Sequence, residues 1–246
     1  MSDLFDDYEA ELDAISALFS GISEDQWASP SLCPGWSCSD VLLHLAQTES
    51  GVEVSIQGGA GLQMPVSGAA TIDEAMEQWV AAERGQAPSE ILKRWEDARR
   101  ASVAALRQAD PGQLLAWAAA PLKPMTLATT RLSEHWIHAH DIADPLDIDY
   151  PDTDRLYNLA RLAHRTIPYA FAKAGRDDPP SVRAEIAAPG GSTWTFGDEG
   201  ADVVITGPAG EFVRVAARRL TPAEATNLKA TGPKGSDVLA LIRTYA

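Results

Sequence analysis

The residues whose types and spacing suit them for chemistry are concentrated in one short segment. Glu134-His135-Trp136-Ile137-His138-Ala139-His140-Asp141 holds three of the five histidines in the chain. Glu134 and His138 are four residues apart, so on a helix both side chains leave the same face about one turn apart. One helix can offer two ligands to a metal in this way. His44 lies in a second segment, Asp40-Val41-Leu42-Leu43-His44-Leu45. Helical phase places it on an inward face between Val41 and Leu45, where an unpaired imidazole is costly. Two neutral imidazoles and one carboxylate, with water in the fourth position, form the zinc arrangement of catalytic rather than structural sites. The spacing does not decide the matter alone. The chain has 35 acidic residues, and Asp40 with His44 makes a second pair of the same kind by chance. Two readings stay open: a three-ligand site of His44, Glu134 and His138, or a satisfied core histidine beside a solvated Glu134–His138 pair.

The neighbouring polar residues are assigned in the same way. Asp40 and Asp141 are candidates to accept the second N–H of a ligating histidine, although helix capping or surface charge is the preferred role for both. His135 and His140 point away from the Glu134–His138 face. His164, beside Arg161 and Arg165, reads as a surface residue. Cys33 and Cys38 are the only cysteines, too few for a disulfide framework or a structural zinc site. Both are expected to be reduced. Cys33 as a nucleophile is the minor reading, and packing under Trp36 the major one.

The elements that must position these groups follow from periodicity and punctuation. Apolar residues at helical spacing predict a helix over 4–22 with Ser2 as its cap. Ser23 and Gln26 form a capping box for a short turn carrying Trp27. The segment 28–36 is a loop, and a helix begins near Ser37 and runs to about 55. Residues 51–70, rich in glycine and small side chains, read as a mobile surface loop. Helices are expected behind Thr71, over 89–109, over 125–143 and over 152–174, the last kinked at Pro168 and stopped at Gly175. Beyond Gly175 the pattern changes to strands at 181–187, 193–196 and 201–206, a helix at 209–219, a strand at 228–231 and a helix at 236–246. The fold class is α+β, with a helical bundle over 1–176 and a small α/β domain over 177–246.

Bulk composition narrows the function. A net charge of −15 and a pI near 4.6 argue against nucleic-acid binding. No run of 18 apolar residues is present to span a membrane. The acidic start Met-Ser-Asp-Leu-Phe-Asp-Asp lacks the features of a secretory signal, so a cytoplasmic protein is expected.

Two motifs carry a family resemblance. Trp27, then Pro30-Ser31-Leu32-Cys33-Pro34-Gly35-Trp36-Ser37, then Asp40-Val41-Leu42-Leu43-His44-Leu45 resembles the N-terminal motif of the mycothiol-dependent maleylpyruvate isomerase family. Arg131-Leu132-Ser133-Glu134-His135-Trp136-Ile137-His138-Ala139-His140-Asp141-Ile142 is similar to its second motif. The resemblance implies a DinB-like, up-down metal-binding bundle followed by a sterol-carrier-like domain, and places the metal ligands on His44, Glu134 and His138. It further implies zinc or another divalent metal, mycothiol as cofactor or co-substrate, and a small electrophilic or carboxylate-bearing substrate held by Arg219, with Arg218 adjacent. The reaction implied is cis–trans isomerisation or thiol S-transfer, by a monomer or homodimer. A metal-activated hydrolase and a non-catalytic small-molecule carrier are the competing functions. Ser37-Cys38-Ser39-Asp40 departs from the usual valine-arginine-aspartate lead into the helix.

Overall fold

The computed structural model describes residues 3–58, 68–118 and 120–244. Its helices begin where local chemistry satisfies their first N–H groups. Helix α1 (Leu4–Ser20) is capped by the Asp3 carboxylate, which accepts from Phe5 N–H. This role was expected of Ser2, which lies outside the described residues. Helix α2 (Glu24–Trp27) and helix α3 (Cys38–Ile56) each open on a full capping box, Ser23 with Gln26 and Ser37 with Asp40. Helix α4 (Ile72–Glu83) starts at Thr71, whose hydroxyl accepts from Glu74 N–H. Helices α5 (Pro88–Gln108) and α6 (Pro124–Ala143) have no capping side chain and begin on a proline, which lacks the N–H that would need one.

The chain divides into two compact units, Met1–Tyr150 and Pro151–Ala246. In the first, α1, α3, α5 and α6 pack as a bundle around Tyr8, Leu12, Phe19, Leu42, Leu45, Ile91, Trp95 and Leu132, all nearly inaccessible. Complete burial of a Leu or Ile here is worth about 1.5–3 kcal/mol. Among the described residues no helix is long and apolar enough to cross a membrane.

One expectation for this unit changes. Residues 51–56 are the last turns of α3 rather than loop, and Gly51 and Val52 are buried. The middle of the expected mobile loop, residues 59–67, lies outside the described residues.

The second unit begins earlier than residue 177. The expected helix over 152–174 is two helices, α7 (Leu156–Arg165) and α8 (Ile167–Lys173). Pro168 supplies no N–H to the ladder, and Thr166 Oγ1 turns back onto Leu162 and Ala163 carbonyls, so the ladder breaks between them. Gly175, at φ 70°, ends α8 as expected. Leu156, Leu159, Ala160 and Ala163 form the buried stripe of α7. That stripe packs on a sheet and a helix formed by later residues, which is why α7 belongs to this unit.

The sheet has order β2-β1-β3-β4, with β1 (Val182–Ala187), β2 (Thr193–Phe196), β3 (Val203–Pro208) and β4 (Lys229–Thr231). Strands β1 and β3 are parallel, with Ala184 beside Ile205, and both outer strands are antiparallel. Val182, Ala184, Ile186, Val203 and Ile205 point inward. Helix α9 (Ala209–Ala216) and helix α10 (Gly235–Leu241) complete the unit. The architecture is α+β, an all-helical unit followed by a smaller mixed one.

Candidate metal centre

Helix α3 presents His44, and α6 presents Glu134 and His138 one turn apart. The capping box aims α3: Ser37 Oγ accepts from Asp40 N–H at 3.1 Å, and Asp40 Oδ2 accepts from Ser37 N–H at 2.9 Å. Asp40 Oδ1 accepts from Arg84 Nε at 2.9 Å, so this carboxylate is committed to the helix start. The preceding loop turns at Gly35, whose φ of 80° favours glycine. Leu32 N–H donates to the Asp141 carbonyl at 2.9 Å and pins the loop to α6. The Trp36 ring then lies over His44, centroids 5.2 Å apart, while its indole N–H donates to Glu77 of α4.

Three polar atoms converge between the two helices. Glu134 Oε2 is 3.6 Å from His44 Nε2 and 3.5 Å from His138 Nε2. All three donor atoms lie within 4.8 Å of one another. The two separations are longer than an ordinary hydrogen bond. They are close to the roughly 3.3 Å between neighbouring donors around a tetrahedral zinc with bonds of about 2.0–2.1 Å. Both histidines are buried, whereas the Glu134 side chain is 31% exposed and marks the open side.

Asp141 has the role considered less favoured from sequence. It is fully buried, and its Oδ2 accepts from His138 Nδ1–H at 2.9 Å. This hydrogen bond selects the tautomer whose Nε2 lone pair faces Glu134 and His44. The Cys33 thiol donates to the same oxygen at 3.1 Å and lies 3.7 Å from His138 Nδ1. Cys33 therefore hydrogen-bonds within the support of His138, a role beyond packing under Trp36. Cys33, His138 and Asp141 form a second cluster of potential ligand atoms. Among the described residues His44 has no equivalent support: its Nδ1 is buried without a hydrogen-bond partner there.

The electrostatics favour a charged centre. Burial opposes ionisation of Glu134, but the His138 and His44 imidazoles and the Arg131 charge hold its carboxyl well below the usual range. Burial pulls His44 below its ordinary value. At His138 the effect of burial is outweighed by Asp141, Cys33 and Glu134, which raise it well above the ordinary histidine value. A cation entering the site would displace the His138 proton, so its binding would weaken as pH falls.

One turn along the bundle lies a buried network that sequence reading passed over. Arg131 Nε donates to Glu49 Oε1 at 2.7 Å, and Arg131 Nη2 donates to Thr48 Oγ1 at 2.8 Å. The Glu49 carboxylate also accepts from the hydroxyls of Tyr8, at 2.9 Å, and Ser102. Burial would raise the Glu49 carboxyl, but Arg131 and His135 outweigh it and hold the group below its ordinary value. His135 donates from Nδ1 to the Arg131 carbonyl at 2.9 Å and accepts at Nε2 from Trp95 at 3.0 Å. Tyr8 and Arg131 were both legible as residues of their segments, but nothing in the sequence paired either with Glu49.

His140 turns away as expected, with Nδ1 3.0 Å from Asp144 Oδ1. His164 is not a free surface residue: its Nε2 donates to the Val182 carbonyl at 2.8 Å and its ring stacks on Phe196. In the second unit α9 ends at Ala216 instead of near 219. Arg218 takes a left-handed φ of 60°, and Arg219 is exposed with a guanidinium contact to the Ala217 carbonyl at 3.4 Å. Arg214, earlier in the same segment, is paired with Asp152 at 3.1 Å.

Comparison with known proteins fits this geometry. The chain is 32% identical over 219 residues to uncharacterized proteins of two Mycobacterium tuberculosis strains, CDC 1551 and H37Rv, covering 87% of this chain and 84% of each relative. Crystal structures of the mycothiol-dependent maleylpyruvate isomerase and of a histidine-to-alanine mutant share the fold. Their TM-scores are 0.61 and 0.60 at 16% identity, covering 93% of this chain and 91% of theirs. A family model described as the mycothiol maleylpyruvate isomerase N-terminal domain matches residues 8–143, which is more than half of the chain and spans both α3 and α6, so the protein belongs to that family.

Proposed function

We propose that the protein is a thiol-dependent isomerase of the maleylpyruvate isomerase type, with zinc held by His44, Glu134 and His138 and mycothiol as the thiol. The observation that supports it most directly is the convergence of three donor atoms at near-coordination spacing. A zinc ion held by these residues would lower the pKa of a thiol and so supply a thiolate at neutral pH, the nucleophile needed for reversible addition to a cis double bond.

The chain's own residues divide the remaining work. His44, Glu134 and His138 would hold the metal, and the Glu134 side chain, 31% exposed, lies on the open side. Asp141 keeps the His138 Nε2 lone pair directed at the centre. Trp36, whose ring contacts His44, would form one wall of the site. Arg219 is the residue proposed to hold the substrate carboxylate, for which a guanidinium offers two parallel hydrogen bonds.

Metal analysis of the purified protein is expected to give one equivalent of zinc, lost in His44→Ala. Maleylpyruvate should then be converted to its trans isomer only when mycothiol is added. Failure of the reconstituted protein to bind any divalent metal, or metal binding without thiol-dependent turnover, would overturn the proposal.

A further inference from the structure

The centre is assembled from two helices, so its geometry depends on how α3 and α6 are aligned along their lengths. Apolar packing is a loose ruler for this purpose, because a hydrophobic face keeps most of its contacts when one helix slides slightly against another. Ligand positions tolerate only about 0.2 Å. Something directional has to fix the alignment.

The Glu49–Arg131 pair sits where such a device is needed. Arg131 is one turn before Glu134 on α6. Thr48 and Glu49 are one turn after His44 on α3. Arg131 Nε reaches Glu49 at 2.7 Å and its Nη2 reaches Thr48 Oγ1 at 2.8 Å, while the Thr48 hydroxyl donates to the His44 carbonyl at 2.9 Å. The chain of bonds thus runs from the backbone of one ligand residue to the helix that carries the other two, one turn before Glu134. Tyr8 of α1 and Ser102 of α5 donate to the same carboxylate, so all four bundle helices meet at Glu49.

The side chains of Glu49 and Arg131 are 0% and 2% exposed. A buried ion pair of this kind is a poor source of stability, because apolar residues of similar volume commonly serve as well or better. What it supplies is direction: a guanidinium donating to two fixed acceptors is satisfied in one alignment only.

We infer that the Glu49–Arg131 pair is a positioning clamp that sets the separation of His44 from Glu134 and His138. The inference rests on the metal-centre reading above. It assigns these residues no contact with substrate or metal.

The test replaces the network with apolar groups and asks whether fold and metal site part company. The triple variant Glu49→Leu, Arg131→Met, Tyr8→Phe leaves no unpaired charge. Ser102 retains its bond to the Arg99 carbonyl and Thr48 its bond to the His44 carbonyl. Helical content by circular dichroism and the unfolding midpoint should stay near wild type. Zinc affinity should fall by about tenfold or more, the range typical of lost ligand support, and the visible spectrum of the cobalt-substituted site should change. Arg131→Lys, which keeps the charge but not the fork, should show the same spectral change at smaller amplitude. If the triple variant does not fold, Arg131→Lys decides: wild-type affinity and an unaltered cobalt spectrum in that variant overturn the clamp. The same result in a folded triple variant also overturns it. Wild-type protein that binds neither zinc nor cobalt would remove the metal centre and the clamp together, which separates the two failures.

Discussion

Asp141 offers the sharpest test of how the centre is supported. Its Oδ2 is the acceptor for His138 Nδ1–H at 2.9 Å and for the Cys33 thiol at 3.1 Å, in a fully buried position. Asp141→Ala deletes this acceptor, freeing the imidazole to rotate and removing the negative charge that strengthens Nε2 as a donor. Lost support of a ligating histidine costs about 10–100-fold in metal affinity. At about 1.4 kcal/mol per decade, that is roughly 1.4–2.8 kcal/mol, similar to the 1.5–3 kcal/mol of one charge-assisted hydrogen bond. Asp141→Asn keeps a carbonyl for His138 but loses the charge, so it should fall at the lower end of the range. Asp40→Asn is the control, because Asp40 is occupied with the α3 cap and Arg84. The assay is competition of each protein with a chromophoric chelator for zinc near neutral pH, with circular dichroism to verify the fold. Binding by both Asp141 variants as tight as wild type, or an equal loss in Asp40→Asn, would refute the argument.

Two further outcomes follow from buried titratable groups. Burial holds His135 down to about 4, against an ordinary value of 6.5, and its Nε2 is already occupied by the Trp95 N–H. The unfolded chain therefore takes up a proton that the folded chain refuses, so stability is full above about pH 6.5 and falls as pH drops toward about 4. The loss between about pH 7.5 and 5 is roughly 2 kcal/mol. Urea unfolding of His135→Gln, which can keep both hydrogen bonds without titrating, should lack that increment, and an unchanged pH dependence would refute the assignment. Burial likewise pushes the Cys38 thiol up to about 11, whereas Cys33 is half-buried. Iodoacetamide at mildly alkaline pH should label Cys33 first and Cys38 only on unfolding, as read by mass spectrometry of peptides.

Features decided within one turn of chain were legible in the sequence. The box at Ser23, the helix start near Ser37, the stop at Gly175 and the same-face placement of Glu134 and His138 needed only neighbours a few residues away. Features decided by distant partners were not. The partners Glu49 and Arg131 stand 82 residues apart, and a charge in a one-dimensional pattern reads as solvated until its partner is known. Asp141 was misread for the same reason, since a carboxylate in the last turn of a helix resembles ordinary surface charge. The unit boundary failed differently. The change from helical to strand composition at Gly175 is real, but the buried stripe of α7 belongs to a sheet that appears only later in the chain.

Helix α6 shows why the centre falls where it does. Arg131, Glu134, His138 and Asp141 are spaced three, four and three residues apart, the period of a seam that in most bundles would be apolar. Four polar residues on an inward seam each require a partner. At one end Arg131 has Glu49 and Thr48 at 2.7 and 2.8 Å, and at the other Asp141 has His138 and Cys33. In the middle the polar atoms face one another as looser ion pairs at 3.5 and 3.6 Å, longer than the contacts at either end. A purely structural seam would gain by closing that gap to hydrogen-bond length, as its two ends do. Its ends are closed and its middle is held open at the spacing of metal ligands, and this contrast within a single helix is the strongest physical reason to place a cation there.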